Sequence, residues 1–133
     1  MKSRAGRLSE RLLDIREAIN NVRDDLGNLS KEQFLADGKT QRAVIESLIV
    51  IGEAANSIMR QAPNLEQSSP ELWQHFRDVY DMRIVLTHEY FRVDAAVVWE
   101  TVYADLPRLE SLLRGFSLGG DGSGGGATGD ARP

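Results

Sequence analysis

The chain predicts an all-α fold: an up-down four-helix bundle with one short extra helix. Three observations carry that reading. Apolar residues recur at steps of three and four along most of the sequence. Start and stop signals of helices bracket those runs. The connections between the long runs are short, which makes neighbouring helices antiparallel.

The first helix follows from Leu8, Leu12, Ile15, Ile19, Val22 and Leu26, which form one stripe, with Gly27 as its stop. Ser30 and Gln33 have capping-box spacing, and a short helix from there ends near Asp37-Gly38. A long helix then runs from Lys39 to Gln61 and is ended by Pro63. Its apolar residues, among them Val44, Ile45, Leu48, Ile51, Ala55 and Ile58, cover more than one face. Such a helix is the central one, or it buries a second face against a partner. Gly52 within it costs about 1 kcal/mol against alanine, so it reads as a point where another helix comes close. Glu53 beside it faces either a cleft or solvent.

Asn64 to Ser69 is polar and reads as a loop. Ser69-Pro70-Glu71 combines an N-cap, a proline at the first helical position and an acidic first turn. That helix carries Leu72, Trp73, Phe76, Val79, Tyr80, Met82, Arg83 and Leu86 toward His88. Asp94 is the expected N-cap of a last helix through Ala95, Val98, Trp99, Val102 and Leu106. Pro107 should kink it, because a proline inside a helix removes one backbone bond, and the pattern resumes at Leu109, Leu112 and Leu113. Trp73 and Trp99 fall at core or interface positions rather than on a base-stacking surface. His75, near its helix start, reads as solvated.

The chain has 133 residues. Residues 1–116 are enough for one helical domain with one core. A Gly-rich stretch, Gly119 to Gly126, lies within a terminal segment, residues 117–133, that has too few apolar side chains to offset its ordering entropy and is expected to be disordered. With no cysteine there is no disulfide framework or thiolate metal site, and two histidines in no metal-binding spacing give no expected metal or cofactor. No secretory segment and no run of 18 apolar residues occurs, so the expected location is cytoplasmic, with no membrane partner. A net charge of −4 argues against nucleic-acid binding by bulk electrostatics, but leaves room for a local basic cleft.

The chemistry gathers in Arg83-Ile84-Val85-Leu86-Thr87-His88-Glu89-Tyr90. An arginine and a histidine can together cleave RNA without a metal: the imidazole moves a proton near neutral pH and the guanidinium neutralises charge building on the phosphate. The same residues near a helix C-terminus also complement its dipole, so both readings stand on this octapeptide alone. Arg83 and His88 are five apart, which separates them by about 140° around a straight helix. Either the helix ends before His88, or the site is completed by residues from elsewhere. A two-fold dimer of the third and fourth long helices would line one cleft with two arginines and two histidines. Arg77 and Arg92 flank the motif and are the candidate RNA-binding cations, against the plainer reading of a solvated face of mixed charge.

This octapeptide resembles the R-x4-H-x-Y motif of HepT-type toxins of the HEPN superfamily. Its surroundings match in order: Ser30 to Leu35, Thr40 to Val44, Ile51-Gly52-Glu53-Ala54-Ala55, Asp81-Met82, Phe91-Arg92-Val93-Asp94, Val98-Trp99 and Asp105-Leu106-Pro107. The resemblance runs from about residue 8 to about residue 114. It implies a dimeric HEPN-like bundle acting as a metal-independent endoribonuclease, the toxin of a toxin–antitoxin pair. Arg83 and His88 are then catalytic. Tyr90 is then the residue to which a cognate MNT-type minimal nucleotidyltransferase antitoxin transfers AMP. The residue after the motif arginine is commonly polar in that family and is Ile84 here. The alternative implied role is a non-catalytic helical subunit that binds a nucleotidyltransferase.

Overall fold

A computed structural model describes residues 3–116. The terminal segment expected to be disordered, residues 117–133, lies outside the described residues. The described chain is all helical. Helix α1 spans Arg4–Leu26, α2 Lys31–Leu35, α3 Gly38–Gln61, α4 Leu65–Ser68 and α5 Pro70–His88. A 3-10 turn, Tyr90–Arg92, leads to a composite last helix: α6 Ala95–Glu100, a π-turn Thr101–Asp105 and α7 Leu106–Arg114.

The local signals act as the sequence indicates. Gly27 ends α1 with φ +51°, a left-handed value that favours glycine, and its N–H bonds to the Arg23 carbonyl. Ser30 and Gln33 form both bonds of a capping box. Asp37 caps α3, its carboxylate accepting from the Thr40 N–H (3.0 Å) and hydroxyl (2.8 Å). Asp94 accepts from the Ala96 N–H at 2.8 Å and opens α6.

Three expectations need correction. Asn64–Ser69 is not simply a loop: Leu65–Ser68 forms the short α4, which turns Leu65 inward to burial. A polar stretch with one leucine has no period to read, so only the packing of that leucine reveals the helix. Ser69 sits at the N-cap position of α5, but its side chain makes no capping bond there. The kink expected at Pro107 takes the form of the π-turn before it. Leu106 donates to the Thr101 carbonyl five residues back, and the Thr101 hydroxyl bonds the Val97 carbonyl at 2.9 Å. The wider turn accommodates a ring that cannot donate and would crowd the carbonyl four residues earlier.

α3 is the central helix, packed along α1 on one side and α5 on the other. Ile15, Ile19, Phe34, Leu48, Ile51, Ile58, Phe76, Leu86 and Leu109 are essentially inaccessible. Burying each such side chain stabilises the fold by about 1.5–3 kcal/mol before entropy is counted. Trp73 and Trp99 pack against this core, and Trp99 lies between Phe34 and Tyr103, with ring centroids 5.5 and 4.3 Å away. Ion pairs pin the last helix at both ends: Arg23 with Glu110, Arg108 with Glu71 (2.7 Å) and Lys31 with Glu100 (3.3 Å).

Candidate active site

The site is built where α3 and α5 cross at Gly52. A Cβ on Gly52 would fall inside contact range of Arg83 Cβ and 2.7 Å from the Val79 carbonyl oxygen. The absence of a side chain therefore lets the two backbones meet, which is the close approach the sequence indicates. The contact also seats Arg83. Its side chain is 24 % exposed, its Nη2 pairs with a Glu53 carboxylate oxygen, and its Nε is buried without a hydrogen-bond partner among the described residues. Glu53, left open between cleft and solvent, thus turns toward α5 and keeps about half of its side chain in water (49 %).

His88 is the last residue of α5, and the helix runs to it without a break. The first alternative for joining Arg83 and His88, an early helix end, is therefore excluded. The two leave the helix about 140° apart and about 7.5 Å along its axis. Arg83 points to α3, while His88 is exposed. Arg77, eleven residues before His88, shares its side of the helix to within about 20°. It is exposed, as is Arg92. Val85, one turn before His88, is 48 % exposed. Ile84 is partly buried.

Past α5 the chain closes through Glu89 N–H to the Val85 carbonyl (2.9 Å) and Arg92 N–H to the Glu89 carbonyl (2.8 Å). This 3-10 turn holds Tyr90 40 % exposed, edge-on to Phe91 at 5.4 Å. Phe91 itself is 97 % exposed, a feature that a run of residues between helices does not announce. Among the described residues no three His, Cys, Asp or Glu side chains gather as a metal-binding group, and no helix is long and apolar enough to cross a membrane.

A continuous helix carrying an arginine against its neighbour and a histidine at its open end, followed by an exposed tyrosine, defines an all-helical protein with an R-x4-H-x-Y site. The family described as "Ribonuclease HepT-like" matches residues 15–115, and the chain belongs to it. The chain is 40% identical over 99 residues to a protein of Thermococcus cleftensis named "Probable ribonuclease HepT", covering 74% of this chain and 86% of that one. A candidate RNase of Methanocaldococcus jannaschii is 32% identical over 96 residues (72% and 75% covered), and one of Caldanaerobacter subterraneus is 31% identical over 86 residues (65% and 72% covered). No solved structure matches.

Proposed function

We propose that this chain is a metal-independent endoribonuclease, the toxin of a toxin–antitoxin pair, which works as a homodimer. In the reaction the ribose 2′-hydroxyl loses its proton to a base and attacks the adjacent phosphorus. The new 2′-O–P bond forms as the P–O5′ bond breaks, and an acid protonates the departing 5′-oxygen. One His88 cannot hold both roles at once; the His88 pair of a dimer can. Arg83 offsets the charge building on the phosphate oxygens. Arg77 and Arg92 steer the RNA backbone.

The observation that carries this reading is the unbroken α5, which keeps Arg83 and His88 of one chain on different sides. A single chain therefore lacks a converged pair, and a two-fold axis beside α5 supplies it. The exposed Val85 and Phe91 on either side of His88 give that axis apolar surface to bury. The partners of this reading are RNA, a second copy and an MNT-type nucleotidyltransferase antitoxin that modifies Tyr90.

The test is expression with and without a neighbouring nucleotidyltransferase, followed by growth measurement and sequencing of total RNA. Growth arrest with new RNA ends, both relieved by the neighbour, is expected. Normal growth and intact RNA would overturn the toxin reading and leave the nucleotidyltransferase-binding subunit in its place.

A further inference from the structure

We infer that Glu53 is the positioning residue of the catalytic arginine, and that it sets a trade between RNA affinity and turnover. This rests on the reading of Arg83 as the phosphate-stabilising group. Gly52 brings the α3 backbone against Arg83 Cβ and Cγ, so the base of the side chain is fixed by packing. The Glu53 carboxylate, on the next residue of the same helix, then holds Nη2 at the other end. An arginine has many rotamers, and fixing both ends removes most of them before substrate arrives. With Nη2 held by the carboxylate and Nε buried, Nη1 is the nitrogen left to meet a phosphate oxygen.

The carboxylate has a second consequence. It is half exposed, so it faces the same water that an incoming phosphate must cross. Its negative charge offsets part of the Arg83 charge and repels RNA in the ground state. Glu53 therefore weakens binding while it orders the group that acts in the transition state. A purely structural salt bridge predicts no such opposition.

The experiment compares the full-length protein with Glu53→Gln and Glu53→Asp. Turnover is read on total cellular RNA with protein in excess. Binding is read by anisotropy of 3′-fluorescein-labelled total RNA, in a His88→Ala background that keeps the probe intact. Glu53→Gln should bind RNA severalfold more tightly. Its turnover should fall on the order of ten-fold, less than the 10²–10³-fold that loss of an electrostatic donor costs. Glu53→Asp, which keeps the charge but shortens the reach, should bind like the parent and lose turnover. Unchanged turnover in Glu53→Gln, alongside inactive Arg83→Ala, overturns the role of Glu53 and spares that of Arg83. Active Arg83→Ala overturns the reading beneath it. Weaker binding together with a lowered Tm in both Glu53 variants makes the pair a structural strut and also overturns the inference.

Discussion

Gly52 and Arg83 face each other across the α3–α5 crossing with no room for a methyl group between them. Gly52→Ala tests that contact. The obstacle includes the Val79 carbonyl, which is backbone and cannot swing aside, so the helices must part. Overpacking of this kind costs about 1–3 kcal/mol, and alanine's better helix propensity returns about 1 kcal/mol of it. Urea denaturation should show a lower midpoint with an unchanged slope. Cleavage should fall by more than the folded fraction falls, because the arginine moves with α5. Full activity at native stability would mean that the crossing has slack.

Arg83 and His88 separate in their dependence on the fold. His88 is exposed at the helix end, so His88→Ala should leave the thermal midpoint nearly unchanged and abolish RNA cleavage and growth inhibition. Arg83→Ala should also abolish cleavage, and Arg83→Lys should restore only part, since lysine lacks the planar fork. Chelator should change nothing. Cleavage by purified His88→Ala protein, or its loss in chelator, would remove the assignment.

A site shared between two copies has a mixing signature. Light scattering should give a dimer at micromolar concentration. Replacing half of the wild-type chains by His88→Ala at constant total protein, with exchange of chains, should leave about a quarter of the activity, because a mixed dimer holds one histidine. A linear fall to half would place a complete site in each chain.

Much of this fold is legible in the sequence because the deciding forces are local. The Ser30–Gln33 box, the Gly27 stop and the Asp94 cap each bind groups within four residues. Gly52 is readable for a related reason: a glycine in the apolar centre of a helix is costly unless something approaches it. Glu53 is not readable. Whether it meets solvent or Arg83, thirty residues away, depends on how α3 is rotated against α5, which no local pattern records. Leu65 fails in the same manner, since α4 exists because the core accepts that leucine. Pro107 announces a disturbance but not its form, because the slack is taken up in the preceding turn at Thr101–Asp105.

Two carboxyls at the last helix respond to acid in opposite directions. Hydrogen bonding to Arg23 holds the Glu110 carboxyl below its ordinary 4.5, against a smaller opposing effect of burial, with the charges of Arg23 and Arg114 adding. A depressed folded-state pKa stabilises above 4.5, and that stability is lost as pH falls through the folded value. Burial pushes Asp105 above its ordinary 3.8, with His75 opposing and Asp78 adding. Its charged form therefore costs stability as pH rises through the raised value. Glu110→Gln should lower the Tm at pH 7 and Asp105→Asn should raise it, each on the order of a few degrees. Both differences should shrink in acid: that of Asp105→Asn as pH falls toward and below 3.8, that of Glu110→Gln only as pH falls below 4.5 through the lowered folded value. Equal effects at pH 7 and in acid would show that packing, not charge, decides.

Tyr90 is the proposed switch. Its ring rests edge-on against Phe91 in the 3-10 turn, two residues past His88, and 40 % of the residue is open to solvent. Adding AMP there would place a negative phosphate and a purine beside the proton-transfer group, repelling RNA and filling the space it needs. Tyr90→Phe keeps the ring and its contact with Phe91, so fold and cleavage should persist while neutralisation through modification is lost. Any protection left must come from physical binding of the antitoxin. The measurement is intact mass after incubation with the nucleotidyltransferase, ATP and magnesium. Wild type should gain whole AMP units and Tyr90→Phe none. A gain that persists in Tyr90→Phe moves the acceptor elsewhere. No gain in either chain points to inhibition by binding alone, in which case the exposed Phe91 becomes the first residue to substitute.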